Sequence, residues 1–237
     1  MKILITGATG FIGKHLNKYL VDLGYVVDGL DSKTELLGCL KEQSYDLVLH
    51  CAWIRDEDLH SLEHLKFGYE TCQFFEECKS RDIRVINLGS SSEYGVKFKP
   101  MKEDMRCEPI NTYGLAKLMV TLHAKKLGFN TLRLFTVTGE GGHSFKDLDK
   151  SGNKVSAPLD IRDFVSIEIV CAAIERLIHS EHLYGEIINI GSGVSKRYMN
   201  IRDDLPEYKG WHTYPQRQYE PSCWQADITK MKKLLNI

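Results

Sequence analysis

Several things are scarce in this 237-residue sequence, and each scarcity closes off a class of protein. Proline occupies only 6 positions, and no segment is biased towards Pro, Gly or Ser, so nothing reads as a linker or a low-complexity tail. No apolar run approaches the ~18 residues of a membrane-spanning helix. Neither charge sign dominates: 31 Lys+Arg against 32 Asp+Glu leave a formal charge of −1. That balance excludes a strongly basic nucleic-acid binder and gives no attraction to an anionic membrane. The 7 cysteines are odd in number, scattered, and without a C-x-x-C pair, so they are expected to be reduced and used as small hydrophobes. Met1 runs straight into Lys2-Ile3-Leu4-Ile5-Thr6 and then a glycine turn, a pattern unlike a secretory leader. The expectation from these absences is a cytoplasmic protein with no nucleic-acid or membrane partner.

What is present reads as globular. The composition is 43% hydrophobic and 27% charged, and the length suits one domain with a small second lobe. Short β-rich runs alternate with helical patterns, which predicts an α/β fold with a mainly parallel sheet. Strands are predicted at residues 2–6, 25–30, 46–50, 83–88, 131–135 and 186–190. Helices are predicted at 11–23, 34–42, 57–80 (one or two), 112–127, 166–179 and 227–235. Asp46-Leu-Val-Leu-His50 is apolar enough to be buried on both faces of a sheet. The division drawn from this pattern is a nucleotide-binding core over 1–138, then a mixed segment, 139–237, that completes the core and forms a short second lobe.

The first strand leads into Gly7-Ala8-Thr9-Gly10-Phe11-Ile12-Gly13 and then a helix. Glycines every third residue at such a turn let backbone approach a pyrophosphate, with the N–H groups of the helix end pointing at it. The second strand ends at Asp31, where a carboxylate can accept both adenosine ribose hydroxyls and would repel a 2′-phosphate. NAD is therefore preferred over NADP, although Ser32 and Lys33 next to it leave NADP open.

Tyr113 and Lys117 lie four apart on a predicted helix, hence on one face. A free tyrosine is a poor base at neutral pH. A nearby ammonium together with a positive nicotinamide ring favours the phenolate, which can then take a proton from a hydroxyl whose carbon gives up hydride. The predicted strand at 83–88 ends in Gly89-Ser90-Ser91-Ser92-Glu93-Tyr94-Gly95, at the sheet edge where ligands bind. A serine hydroxyl there can polarise the reacting oxygen.

These stretches, with Asp46–Ala52, Pro100–Asp104, Pro109–Lys117, Arg133–Gly139, Arg162-Asp163-Phe164, Asn189–Ser192 and Arg217–Glu220, resemble the extended short-chain dehydrogenase/reductases. Within that group the closest likeness is to the nucleotide-sugar epimerases and dehydratases. The resemblance implies a Rossmann-like doubly wound parallel sheet with a small, abbreviated C-terminal substrate lobe. It implies a catalytic set of Ser90, Tyr113 and Lys117, Ser90 standing four residues before the aromatic of the Y-G pair; a slip of one residue would nominate Ser91. It implies NAD contacts from Gly7, Thr9, Gly10, Phe11, Ile12, Gly13, Asp31, Ser32, Cys51, Ala52, Trp53, Phe135 and Val137, besides Tyr113 and Lys117. Ser91, Ser92, Thr136, Arg162 and Arg217 would meet a nucleotide-diphosphate sugar, the two arginines at its diphosphate. The family also dimerises through a four-helix bundle of the two helices that here hold Phe67 and Tyr113.

The sequence departs from the family's pattern in several places. The positions where dehydratases carry an acid are Ser91 and Ser92, which points to epimerisation or ketoreduction before dehydration; a slip of one residue would bring Glu93 into the acid's place. The link from Asp31 to Tyr45 is too short for the usual extra strand, and Gly139–Pro158 is abbreviated. Phe67 and Thr136 replace asparagines, and Trp53 stands where a small residue is usual. His60, Glu63 and His64 would share a helix face, read here as solvated and not as a metal site.

Overall fold

A computed structural model of the chain describes residues 1–31, 36, 38–40, 43–54, 56, 58–141, 161–197 and 224–237. Its elements run β1 (Lys2–Thr6), α1 (Phe11–Asp22), β2 (Val26–Leu30), β3 (Leu47–His50), α2 (Glu63–Ser80), β4 (Arg84–Ser90), α3 (Thr112–Lys126), β5 (Asn130–Leu134), β6 (Thr136–Thr138), β7 (Ile161–Ser166), α4 (Ile167–Ile178), β8 (Ile187–Ile190), β9 (Ser195–Arg197) and α5 (Thr229–Leu235). Six strands form one sheet in the order β2-β1-β3-β4-β5-β8, every neighbouring pair parallel. This is the Rossmann-like sheet expected from the sequence.

The strands alternate between two cores. Ile3, Ile5, Leu47, Leu49, Ile86 and Leu88 point to a layer shared with Leu16 and Leu20 of α1 and Val170 and Ile174 of α4. Leu4, Val48 and Val85, one residue out of step, point to Phe74 and Phe75 of α2 and Val120 and Ala124 of α3. Period-2 side chains between helices on both faces are what bury β3 throughout. The chain leaves β1 for β2 on one side and reaches β3 on the other, so the strand order reverses there and opens a crevice at the carboxyl ends.

Two predicted elements differ. The helix predicted from residue 57 begins at Glu63. Asp56 Oδ1 accepts the Asp58 N–H at 3.0 Å and Asp58 Oδ1 accepts the His60 N–H at 2.9 Å, two local turns that compete with helix. The short helix expected at 34–42 is, in its described part, a single 3-10 turn at Gly38–Leu40. A second sheet, β6-β7-β9, was not anticipated, because strands β6 and β9 have only three residues each and offer no alternation to detect. Among the described residues no helix is long and apolar enough to cross a membrane.

Candidate active site

The crevice begins at the glycine turn. Gly7 has φ +68°, and a Cβ there would lie 2.7 Å from the Ala52 Cα; a Cβ on Gly13 would collide with the Gly7 carbonyl oxygen. Only glycine lets β1, the turn and α1 approach so closely. Two of the five described α-helices close their N-termini with side chains: Asn111 Oδ1 accepts the Gly114 N–H of α3 at 2.8 Å, and Ser166 caps α4. Helix α1 starts at Gly10 with no side-chain cap and no acidic residue in its first turn. Its positive end is thus left for an anion from outside the chain.

That end opens on a cleft of about 580 Å³ lined by Gly10–Gly13 on one side and by Cys51, Trp53, Ser90, Tyr113 and Lys117 on the other, with Phe135 and Val137 at its end. Volume and lining suit a dinucleotide laid across the strand ends. Ala52 is buried beneath Gly7, and Thr9 is exposed on the turn. Asp31 is exposed just past Leu30, whose carbonyl accepts the Ala8 N–H at 3.2 Å, so it flanks the glycine turn. Ser32 lies outside the described residues.

Tyr113 and Lys117 come together with Ser90. Ser90 and Tyr113 line both clefts together, and the Ser90 side chain favours the Tyr113 phenolate. Lys117 is buried, donates from Nζ to the Leu88 carbonyl at 3.0 Å, and holds its ammonium 3.9 Å from the Trp53 ring centre. Burial pushes the lysine down to about 8, against the attraction of Glu93. The sequence argument had the ammonium, together with a nicotinamide ring, lowering the tyrosine. Instead burial raises the Tyr113 phenol, Ser90 pulls it back and the Glu93 carboxylate raises it further. In the polypeptide, desolvation wins.

Glu93 answers a question of register. It is fully buried, accepting the Ser90 backbone N–H at 2.8 Å, Thr121 Oγ1 at 3.0 Å and Arg133 Nε at 2.9 Å. Arg133 is itself 1% exposed and stacks on Tyr94 at 4.3 Å. A carboxylate so enclosed reaches neither cleft and serves as an internal counter-ion, not as an acid for a sugar. Ser91 is likewise engaged, its Oγ accepting the Trp224 Nε1–H at 3.0 Å, whereas Ser90 faces Tyr113.

A second cleft, about 420 Å³, adjoins the first and shares Ser90, Tyr113, Leu134 and Phe135 with it. Its other walls are Leu59 and His60, Ser91 and Ser92, Ile110 and Asn111, Thr136, Arg162 and Trp224. Arg162 lies 4.8 Å over the Trp224 ring. Buried Asp163 next to it accepts the N–H groups of Ser192 (2.6 Å), Gly193 (2.9 Å) and Ala226 (3.0 Å), and so fastens the segment bearing Trp224. Arg217 lies outside the described residues.

Sequence reasoning missed Leu59, Ile110, Asn111 and Trp224, and misjudged two histidines. His60 lines the second cleft, on a turn tied to α3 by Thr112 Oγ1 donating to its carbonyl and by the Tyr113 N–H donating to Leu59, each at 2.9 Å. His64 is 1% exposed and stacks on Trp53, so it is no solvated face. The Asp56 and Asp58 turns were the available signal.

A parallel Rossmann-like sheet, a helix end without a side-chain cap and a Ser-Tyr-Lys cluster between two joined clefts are what the fold brings together. Residues 3–191 match the NAD dependent epimerase/dehydratase family, and the chain belongs to it. It is 28% identical over 292 aligned positions to an uncharacterized UDP-glucose epimerase, YtcB, of Bacillus subtilis, covering 100% of this chain and 92% of that one. It is 27% identical to the dTDP-6-deoxy-L-talose 4-dehydrogenase (NAD(+)) of Aggregatibacter actinomycetemcomitans, covering 95% and 100%. The crystal structure of UDP-glucuronic acid 4-epimerase from Bacillus cereus, in complex with UDP-glucuronic acid and NAD, superimposes with a TM-score of 0.81 at 26% identity, covering 100% of this chain and 93% of that one.

Proposed function

We propose that the chain is an NAD-dependent enzyme acting on a nucleotide-diphosphate sugar, epimerising a ring hydroxyl or reducing a keto group. The observation that carries this reading is the meeting of the two clefts at Ser90 and Tyr113. The glycine turn, Asp31 and the strip from Cys51 to Trp53 would hold NAD, with Lys117 at its nicotinamide ribose. Bound there, the nicotinamide ring supplies the hydride acceptor and a positive charge that favours the Tyr113 phenolate. Tyr113 then takes the proton of a sugar hydroxyl, while Ser90 hydrogen-bonds to the same oxygen and holds it in line. In the reverse direction the phenol returns the proton to a carbonyl oxygen.

Arg162 and Trp224, with Ser91, Ser92 and Thr136, would receive the nucleotide sugar, a fork of guanidinium donors facing phosphate oxygens. Residues 139–237 would complete the core and form the short substrate lobe. The enclosure of Glu93 weighs against a 4,6-dehydratase, the second reading, because the residue that a slip in register would make the acid lines neither cleft. Leu62 and Tyr69 of the α2 segment and Leu115 and Leu122 of α3 are exposed, which supports a homodimer through a four-helix bundle.

Native mass spectrometry of freshly purified protein, followed by denaturation and identification of released dinucleotide, tests the reading. About one NAD per subunit, with isomerisation of a nucleotide hexose and no added cofactor, is the outcome for an epimerase. An empty site that prefers NADPH moves ketoreduction first and overturns the role given to Asp31. Binding of neither dinucleotide leaves a non-catalytic regulator as the better account.

A further inference from the structure

Two departures from the family pattern meet at one point. Trp53 and Phe67 pack edge to face, with ring centroids 5.3 Å apart at 79°. The same indole meets the Tyr113 ring edge to face at 5.9 Å and stacks on His64 at 6.4 Å. His64 fixes its orientation: Trp53 Nε1–H donates to His64 Nδ1 at 3.3 Å, and His64 Nε2–H donates to the Asp58 carbonyl at 3.2 Å, which requires a single neutral tautomer. The face of the indole then lies 3.9 Å from the Lys117 ammonium, whose other recorded partner is the Leu88 carbonyl.

We propose that Trp53, braced by His64 and Phe67, is a positioning residue that keeps Lys117 charged and in place beside Tyr113. The inference rests on the proposed hydride-transfer reading for its purpose, but not for its geometry.

The groups around Lys117 show why the indole matters. From the end of β3, burial takes His50 down to about 3 and the Cys51 thiol up to about 12, so both are neutral near pH 7. On its own helix, Tyr113 is raised and also neutral. From the turn after β4, Glu93 attracts the ammonium, but its carboxylate is already paired with Arg133. Asp56 lines the same cleft without an ion pair to Lys117 among the described contacts. The lysine therefore has burial against it, one carbonyl and one distant shared carboxylate for it, and the quadrupole of the Trp53 ring. A desolvated cation over an indole gains enough to hold a lysine pKa up by about one unit.

The first test needs no cofactor and no substrate. Intrinsic fluorescence of the full chain is titrated from about pH 6 to about pH 10, alongside Lys117→Met and Trp53→Phe. The wild type should show a transition with its midpoint near 8, as the ammonium above the indole loses its proton, and both variants should lack it. A wild-type trace that matches Lys117→Met overturns the proposal. Because Lys117→Met leaves Trp53 in place, failure of an indole variant to fold cannot decide the matter.

The second test follows kcat against pH. Trp53→Leu keeps the burial but removes the π face, so the alkaline limb should move down by about one unit while KM for the sugar stays within about threefold. Trp53→Phe should restore the limb. If both variants keep the wild-type limb, Trp53 is packing only and the proposal fails. Protein that binds no dinucleotide yet shows the lysine-dependent fluorescence transition sinks the proposed function and leaves this inference standing.

Discussion

The two clefts that share Ser90 and Tyr113 differ in what holds them together. The larger takes one wall from Gly10–Gly13, where the glycine turn enters α1, and the rest from the stretch after β3 and from residues of β4, α3 and the segment from β5 to β6. The smaller draws on six separate stretches of chain, from Leu59 to Trp224, and is held by side chains reaching between them. The Trp224 Nε1 bond to Ser91 spans 133 positions, and the Asp163 bond from Ala226 spans 63. The larger cleft thus has a backbone motif at one wall, with glycines that allow the close approach. The smaller depends on side-chain bonds between segments far apart in the chain.

Breaking the shared wall should have the largest effect. Tyr113→Phe removes the proton acceptor, and turnover should fall by about 10²–10⁴-fold while dinucleotide affinity stays within about threefold, measured by steady-state kinetics and titration calorimetry. Equal loss of both would make Tyr113 a binding residue. Next comes the support beneath that wall. Glu93→Ala leaves the Arg133 guanidinium buried without its partner, which should cost about 3–5 kcal/mol in denaturant unfolding. A loss under about 1 kcal/mol would mean that the pair is loosely held.

Each cleft can then be damaged alone. Gly13→Ala puts a Cβ into the Gly7 carbonyl and should weaken dinucleotide binding by at least about tenfold, with the sugar cleft intact. Trp224→Phe keeps the bulk but loses the Ser91 hydrogen bond. It should raise KM for the sugar about fivefold, the worth of one ordinary hydrogen bond, and leave dinucleotide affinity alone. If Trp224→Phe instead weakens the dinucleotide, the clefts are not separable.

The same contrast explains what the sequence revealed. The glycine turn, the alternation of Ile3, Leu4 and Ile5 between two cores, and the spacing of Tyr113 and Lys117 are local patterns whose physics acts over a few residues. Trp224 and Ile110 carry no local signature, because they join the site only through packing of distant segments. His60 was misplaced because helix periodicity was extended through Asp56 and Asp58, whose side chains take the backbone N–H groups a helix would need, and His64 was misjudged because its cover, Trp53, comes from another segment. The pull of burial on Tyr113 was also invisible, since spacing shows which charges are near but not how much water remains.

The central claim, that the two clefts form one reaction centre, is tested most directly by following a label between them. Purified protein loaded with NAD is given a nucleotide hexose deuterated at its ring carbons, quenched within a single turnover, and its dinucleotide is analysed by mass spectrometry. The account predicts deuterium on the nicotinamide for a substrate the enzyme accepts, and none with Tyr113→Phe. Binding of both molecules with the label retained on the sugar at every time point, across a panel of nucleotide hexoses, would contradict it.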